Sequence, residues 1–309
     1  GYRANNYIPH LMFIAPKGCG KTTMAKACAK ELGTSDNPHK TKPFLELNCS
    51  TIKNVGQFFN QVVIPHMNQQ ECTVLFDEAS ELPKDVTMAL LTILNPNKHN
   101  RTSFSFEDYT VDFDFCRQSF MFATTEAQSI FHALMDRCER LDLEEYTYDE
   151  LGQIVGVNYT DAEYEDGLLT EIAPTLRGNA RQAQKMANNI KAYLASQRKL
   201  QFDFSDWDKL KYALGILPLG LSRIELQVLR ILGNSKECSL TNIAAKTGLT
   251  PECLRRDFEM YLQKHSLMEI TTSGRSITPK GQEYLKDLNE EPPKSTRKAV
   301  RIKLPALAR

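Results

Sequence analysis

The chain has 309 residues, of which 41% are hydrophobic and 25% are charged, and its 38 basic residues balance 38 acidic ones. This length and composition indicate a globular protein of two or three domains and exclude a chain without a hydrophobic core. We find neither a long apolar stretch nor a signal peptide, so we expect no contact with a membrane. The eight cysteines form no C-x-x-C pair, which predicts a reduced, cytoplasmic protein without a disulfide framework.

The first predicted strand, residues 11–14, leads directly into a glycine-rich segment, residues 15–23. A strand followed by such a turn and then a helix points backbone N–H groups at one spot, which suits a triphosphate. Ala15 stands where the usual pattern begins with glycine, and such turns also arise by chance, but the flanking strand and helix patterns favour an ATP site. The predicted nucleotide-binding residues are Gly18, Cys19, Gly20, Lys21, Thr22 and Thr23. Lys21 is assigned to the β- and γ-phosphates and Thr22 to Mg²⁺.

A second predicted strand, residues 44–48, precedes a third, residues 73–76, which ends in two carboxylates. Parallel strands deliver such groups to the sheet edge that also carries the phosphate loop. ATP hydrolysis needs one carboxylate at the Mg²⁺ water shell and another that orients the attacking water, and we assign these tasks to Asp77 and Glu78. The alternative is an ordinary helix start, where the dipole favours acidic residues.

Residues 102–117 alternate aromatic and polar side chains, which predicts a hairpin inserted before the fourth core strand. A hairpin this rich in phenylalanine either packs on the core or forms a docking surface.

The fourth core strand is predicted at residues 120–123 and a fifth at 141–143. The alternation of five such runs with helices or loops predicts an α/β fold with a parallel sheet. Thr125, just after the fourth strand, would place a hydroxyl within reach of the same attacking water. Threonine is also common at strand ends for structural reasons, and the register with Asp77 favours the functional interpretation.

Two arginine motifs follow, Asp-Arg at residues 136–137 and Arg-Gly-Asn-Ala-Arg at residues 177–181. Phosphoryl transfer builds negative charge on the γ-phosphate, which a guanidinium stabilises. We assign this role to Arg137 and Arg181, one from a neighbouring subunit and the other from a lid. Without the other motifs, either arginine alone would be interpreted as an ordinary solvated surface charge.

From residue 146 to residue 193 the pattern is helical, with a break at Gly178 and Asn179, and residues 201–207 are predicted to be a loop. Beyond a boundary at residues 218–220 come three helix patterns, the third introduced by Thr250 as N-cap and Pro251 at the first helical position. Two short strands, 267–271 and 276–278, complete a winged helix.

Basic residues are concentrated in this last part of the chain. From residue 218 onward there are 16 Lys or Arg against 10 Asp or Glu, whereas the preceding part has 22 against 28. The distribution predicts that a polyanion binds to the last third of the chain.

In this order, the motifs resemble those of the AAA+ ATPases, and more narrowly those of the RuvB-like motors of Holliday junction branch migration. The resemblance runs from about residue 9 to residue 285. It rests on Gly-Lys-Thr-Thr at 20–23, Ala-Thr-Thr at 123–125, Leu-x-Asp-Arg at 134–137, Arg-Gly-x-x-Arg at 177–181 and Gly-Arg at 274–275. The inserted hairpin differs from the family's, which fits a divergent, virus-encoded relative.

The resemblance implies four parts, namely an AAA+ α/β core (1–145), a helical lid (146–217), a winged-helix DNA-binding domain (218–288) and a flexible basic tail (289–309). It also implies particular roles for four residues. Arg137 would be the finger that reaches a neighbour's ATP, Tyr146 would lie near the nucleotide, Arg181 would report nucleotide state from the lid, and Arg275 would touch the DNA backbone.

The function that the resemblance implies is an ATP- and Mg²⁺-dependent DNA motor that acts as a homohexameric ring. Its substrate would be duplex or four-way-junction DNA in recombination and repair, and its partner a RuvA-like junction-binding protein. DNA contacts would be made mainly with phosphates and would therefore be sensitive to salt. The residues that we select for this contact are Arg255 and Arg256 on the third helix of the winged helix, Arg275 and Lys280. The alternatives are an initiator or a helicase or clamp loader that uses ATP as a switch, and an inactive scaffold that only binds nucleotide.

Overall fold

The computed structural model describes residues 8–34, 37, 39–68, 70–94, 101–106, 109–115 and 118–290, with the backbone alone for 101–106, 109–114, 289 and 290. It divides into two compact units, Gly1–Leu214 and Gly215–Arg309. The finer boundaries predicted at 145/146, 217/218 and 288/289 stay predictions, and the predicted tail lies outside the described residues from residue 291 onward.

A five-stranded parallel sheet in the order β2-β3-β6-β1-β7 forms the centre of the first unit. Its strands are β1 (Leu11–Ile14), β2 (Phe44–Asn48), β3 (Thr73–Asp77), β6 (Ser119–Thr124) and β7 (Glu139–Asp142). The predicted α/β fold with a parallel sheet is confirmed. The last strand starts two residues before the predicted 141–143, because the Glu139 N–H donates to the His10 carbonyl at the sheet edge (2.7 Å).

Both faces of this sheet are covered by helices, as a parallel sheet requires. Successive strand side chains point to opposite faces, so Phe76 and Phe122 enter one hydrophobic cluster and Leu75 and Met121 another. The Phe76 and Phe122 rings stack with centroids 4.9 Å apart. The covering helices of the core are α1 (Lys21–Lys30), α2 (Val55–Phe58, continued by a wider turn over Phe59–Met67), α3 (Lys84–Ile93) and α4 (His132–Met135).

The predicted hairpin between β3 and β6 is present. Its strands β4 (Arg101–Phe106) and β5 (Tyr109–Asp114) pair antiparallel. Phe115, the last phenylalanine of the predicted pattern, is buried in the core beside Phe120, whereas the side chains of the hairpin strands themselves lie outside the described ones.

A helical segment follows β7 within the same unit. It contains α5 (Tyr148–Asn158), α6 (Leu168–Ile172), α7 (Ala180–Gln197) and α8 (Phe204–Leu214), together with the short parallel strands β8 (Glu163–Tyr164) and β9 (Gln201–Phe202). We refer to this segment as the lid. Helix α5 begins with a capping box in which Thr147 and Glu150 satisfy each other's backbone N–H groups.

The predicted loop at residues 201–207 is wrong, because these residues form β9 and the first turn of α8. Phe202 and Trp207 are buried in the lid. The Asp203 side chain accepts a hydrogen bond from the Asp206 N–H (2.8 Å), which starts the helix.

The second unit is a winged helix, as predicted. Its elements are α9 (Arg223–Gly233), α10 (Leu240–Thr247), α11 (Pro251–Leu254), α12 (Met260–Lys264), the antiparallel strands β10 (Met268–Ile270) and β11 (Arg275–Ile277), and α13 (Pro279–Glu290). The Thr250 side chain caps α11 and Pro251 opens it, as predicted. A wider turn over Arg255–Glu259 joins α11 to α12.

Among the described residues, no single helix is both long and apolar enough to cross a membrane, although the bent pair Phe204–Gly220 and Arg223–Gly233 passes by length and composition.

Candidate functional site

The carboxyl ends of three neighbouring strands bring the predicted motifs of the core to one edge of the sheet. Ile14, which precedes the glycine-rich loop, pairs with Thr124, and Asp77 pairs with Ala123. Because β6 lies between β1 and β3, the loop after β1, the carboxylates after β3 and Thr125 after β6 follow adjacent strand ends. Ligands of open α/β sheets bind at this edge.

The glycine-rich loop has the backbone that phosphate binding requires. Gly18 and Gly20 both have φ of +84°, and Gly20 directly precedes α1. Left-handed residues at a helix start turn successive N–H groups into a concave anion site. Of the remaining predicted loop residues, Cys19 is buried and Thr23 is exposed.

Lys21 lies within this loop rather than extending into solvent. Its Nζ donates to the carbonyl oxygens of Ala15 (2.8 Å) and Pro16 (3.1 Å). Partial burial lowers the pKa of Lys21, the negative charge of Asp77 opposes that shift, and the positive charge of Arg181 adds to it. The lysine is therefore close enough to both the acidic strand end and the lid arginine to interact electrostatically with them.

Thr22 and Asp77 meet although they lie 55 positions apart in the sequence. The Thr22 Oγ1 donates to the Asp77 Oδ2 at 3.1 Å. An all-oxygen pair of one hydroxyl and one carboxylate is the kind of donor set that Mg²⁺ uses beside substrate phosphates. These residues fit the predicted Mg²⁺ ligands, whose assignment stays a prediction.

Glu78 has a left-handed backbone with φ of 57°, a conformation that is uncommon for a residue other than glycine. Its N–H donates to the Asp77 Oδ1 (3.0 Å), and its side chain is exposed at the strand end. Such conformations cluster at functional sites, where the surrounding structure maintains them. Thr125 is likewise exposed one residue after β6, whereas the Thr124 hydroxyl is buried and accepts from the Glu126 N–H (3.0 Å). The assignment of Thr125 is therefore compatible with its exposure and stays a prediction.

Arg137 lies just after α4 and is half-buried. Its Nη1 donates to the Ala133 carbonyl (2.7 Å), while its buried Nε has no hydrogen-bond partner within the described part of the chain. A buried guanidinium nitrogen without a partner is costly. The role of Arg137 at a neighbouring subunit stays a prediction.

The lid approaches the phosphate loop at two of the predicted residues. A Cβ placed on Gly20 would lie 2.8 Å from the Tyr146 hydroxyl, so Tyr146 is next to the loop. Arg181 is in the first turn of α7 and exposed, within electrostatic range of Lys21. The structure thus brings Lys21, Thr22, Asp77, Tyr146 and Arg181 to one region.

Asn179 also lies where the lid meets the phosphate loop, although sequence analysis gave it no function. Its Nδ2 donates to the Lys17 carbonyl (3.1 Å), 162 positions away, while its Oδ1 accepts from the N–H groups of Arg181 (2.9 Å) and Gln182 (3.3 Å). The capping role could have been recognised, because asparagine favours the position before a helix. The contact with the loop depends on tertiary structure and leaves no local signal.

The predicted DNA-contacting residues fall into two groups in the second unit. Arg255, Arg256 and Lys280 are exposed, and Arg256 forms an exposed ion pair with Asp257 (2.9 Å). Arg275 instead forms a bidentate ion pair with Glu259, at 2.8 and 3.2 Å, in which Glu259 is buried and the Arg275 side chain is 16% exposed. Its guanidinium therefore holds β11 against the turn before α12, and a DNA contact by Arg275 stays a prediction.

Two family models match the chain. The model of the ATPase family associated with various cellular activities (AAA) matches residues 11–146, and the RuvB C-terminal winged helix domain matches residues 218–286. The first covers the sheet with its phosphate loop and carboxylates, and the second covers the winged helix.

Similar proteins carry both regions. The Holliday junction branch migration complex subunit RuvB of Wolbachia sp. subsp. Brugia malayi is 26% identical over 296 residues, which span 90% of this chain and 83% of the relative. The subunit of the same name from Campylobacter hominis is 27% identical over 285 residues, 90% and 80% of the two chains. The structure of the Thermotoga maritima RuvB Holliday junction branch migration motor shares the fold, with a TM-score of 0.71 at 21% identity over 92% of this chain and 90% of that one.

The chain has a nucleotide-binding AAA core followed by a RuvB winged helix, and its relatives match it over nine-tenths of its length. It is therefore an ATP-hydrolysing member of the RuvB family of AAA ATPases.

Proposed function

We propose that this protein is an ATP-driven motor that moves DNA through Holliday junctions, as the names of its relatives indicate for them. The observation that carries the proposal is the contact between the Thr22 hydroxyl and the Asp77 carboxylate at the phosphate loop, in a chain that also has a RuvB winged helix. The first feature supports hydrolysis of a nucleoside triphosphate, and the second supports its use on DNA.

In this proposal the phosphate loop binds ATP. The N–H groups around Gly18 and Gly20 bind the phosphate oxygens, and Lys21 exchanges its bonds to the Ala15 and Pro16 carbonyls for the β- and γ-phosphates. Thr22 and Asp77 would hold Mg²⁺, and the bound ion would supply positive charge beside those phosphates.

Hydrolysis is assigned to the groups at the neighbouring strand ends. Glu78 orients the attacking water and accepts its proton, while Thr125 hydrogen-bonds the same water from the end of β6. The exposed side chains of both residues follow adjacent strands of the sheet, which supports this pairing of roles.

Two arginines stabilise the charge that develops on the γ-phosphate in this scheme. Arg181 comes from the lid of the same chain, and Arg137 reaches the nucleotide of a neighbouring copy in a homohexameric ring. Release of the γ-phosphate removes the anion that both arginines contact, so the lid changes position and pulls on the winged helix through the covalent connection at Leu214 and Gly215.

We infer that duplex and four-way-junction DNA are bound through their phosphates by Arg255, Arg256 and Lys280. These three side chains are exposed in the second unit, and the excess of basic residues from residue 218 onward supports the assignment. A RuvA-like protein would recognise the junction and position the ring. We place this activity in the cytoplasm, which suits described cysteines that form no disulfide with one another.

The proposal is tested by measuring ATP hydrolysis with and without four-way-junction, duplex and single-stranded DNA, for the wild-type chain and for Arg137→Ala. We expect junction or duplex DNA to stimulate the wild type and not the variant. Mixing Arg137→Ala with the catalytically dead Glu78→Gln should restore part of the activity, because each supplies what the other lacks at a shared site. Slow ATP hydrolysis that depends on assembly with DNA but moves no junction would favour an ATP switch over a motor.

A further inference from the structure

Asn179 connects the phosphate loop to the lid through both ends of its side-chain amide. The Nδ2 donates to the Lys17 carbonyl at 3.1 Å, and the Oδ1 accepts from the Arg181 N–H at 2.9 Å. Next to it, the Ala180 N–H donates to the Gly18 carbonyl at 3.1 Å. The first turn of α7 is therefore hydrogen-bonded to the loop by one side chain and one backbone group.

The loop is shaped to accept this contact. A Cβ on Gly18 would overlap the side-chain amide of Asn179, and φ of +84° at Gly18 already favours glycine. Gly18 thus serves two purposes, since it gives the loop its turn and leaves space for the Asn179 amide.

The contact also determines where Arg181 lies. The Asn179 Oδ1 accepts from the backbone N–H of Arg181 and thereby fixes the first turn of α7, in which Arg181 lies. A displacement of the Lys17 and Gly18 carbonyls moves the amide that caps the helix, and the helix start carries Arg181 with it.

We propose that Asn179 is a positioning residue that transmits the conformation of the phosphate loop to Arg181, independently of any contact between Arg181 and the nucleotide. This inference rests on the proposed role of Arg181 in ATP hydrolysis and extends it. The loop binds phosphates through its N–H groups and contacts the lid through its carbonyls, so one segment reports nucleotide occupancy to α7.

Replacement of Asn179 by serine separates the two halves of the contact. Serine caps helices about as well as asparagine but lacks the N–H donor to the Lys17 carbonyl. Asn179→Ser should lower kcat about 2- to 10-fold, the effect of one hydrogen bond, and leave the Kd of a fluorescent ATP analogue within about threefold, since the loop N–H groups remain. The matched control is Asn54→Ser, because the Asn54 Oδ1 caps α2 by accepting from the Gln57 N–H (2.8 Å). This substitution should leave kcat unchanged.

A double-mutant cycle with Arg181→Ala distinguishes positioning from general damage to the fold. If Asn179 acts through Arg181, Asn179→Ser should have no further effect on kcat in the Arg181→Ala background. Equal losses in both backgrounds, or no loss in the wild-type background, would overturn the inference.

Hydrogen exchange of the Ala180 amide, without nucleotide, tests the contact separately from hydrolysis. Its exchange should accelerate about 2- to 10-fold in Asn179→Ser, in proportion to the loss of one hydrogen bond, and not in Asn54→Ser. Unchanged exchange would refute the contact whatever the ATPase result. If the wild-type chain failed to hydrolyse ATP while Asn179→Ser still accelerated the exchange of Ala180, the contact would stand and the proposed function would be contradicted.

Discussion

Replacement of Glu259 by glutamine should strongly destabilise the winged helix. Glu259 is buried and bonds to Arg275 through two oxygens, at 2.8 and 3.2 Å, while the Arg275 side chain is 16% exposed. The substitution leaves the guanidinium largely buried beside a neutral amide. Removing one partner of a buried ion pair costs about 3–5 kcal/mol, because the remaining charge is uncompensated.

This cost is large relative to the stability of a small domain, which is about 5–15 kcal/mol. The pair connects β11 to the turn Arg255–Glu259 that precedes α12, so its loss should loosen the wing first. Trp207, the single tryptophan, lies in the first unit and reports only on that unit. Amide hydrogen exchange of Met268–Ile270 in β10 is therefore the appropriate assay.

A matched control exists on the same turn, because Asp257 pairs with Arg256 at a similar distance, 2.9 Å, but in an exposed position. Asp257→Asn should change exchange in β10 far less than Glu259→Gln does, since solvent screens exposed pairs. Equal, small effects of the two substitutions would show that burial adds nothing to the Glu259–Arg275 pair and would refute the reasoning.

Two further substitutions test other parts of the structure. Burial lowers the pKa of His10 from 6.5 to about 4, so between these pH values the unfolded chain binds a proton that the folded chain does not. The free energy of unfolding should therefore fall as the pH drops below 6.5, by up to about 3 kcal/mol near pH 4. The melting temperature, followed by Trp207 fluorescence, should show this loss and His10→Leu should reduce it, whereas the same pH profile in wild type and variant would contradict the assignment. Gly18→Ala should lower both stability and ATP turnover, because the new Cβ overlaps Asn179 and φ is +84°. The control Gly167→Ala, with φ of +77° and no atom within 4 Å of a Cβ, should show only the backbone cost of about 1 kcal/mol. Equal effects of the two substitutions on turnover would show that the overlap with Asn179 does not matter.

The sequence predicts the sheet well because each buried strand is an apolar run next to a distinctive motif. The strand predicted at residues 11–14 has the observed bounds, and the strand predicted at residues 73–76 extends by one residue to Asp77, the first of the two carboxylates predicted to act in hydrolysis. Residues 201–207 were mistaken for a loop, since their mixed polarity hides a two-residue strand and a helix start. The burial of Phe202 and Trp207 comes from packing within the lid and has no short-range periodicity.

The candidate site shows the same limit. Motifs located Lys21, Thr22 and Asp77, because the phosphate loop and the carboxylates are local patterns at strand ends. The role of Asn179 could not be predicted, since its partner carbonyl is 162 positions away and belongs to the backbone. Arg275 shows the converse, because a basic residue in the wing suggests DNA contact while its buried carboxylate partner, Glu259, becomes evident only in the folded domain.

The most direct test of motor activity is the ATP-dependent movement of a synthetic four-way DNA junction by the wild-type chain, compared with Glu78→Gln. We predict that the wild type separates the junction into duplexes only when ATP and Mg²⁺ are present. The variant should bind ATP and DNA but lose about 10²- to 10⁴-fold in hydrolysis, the usual contribution of a general base, and should move no junction. Hydrolysis by the wild type without junction movement, with or without a RuvA-like partner, would contradict a motor function.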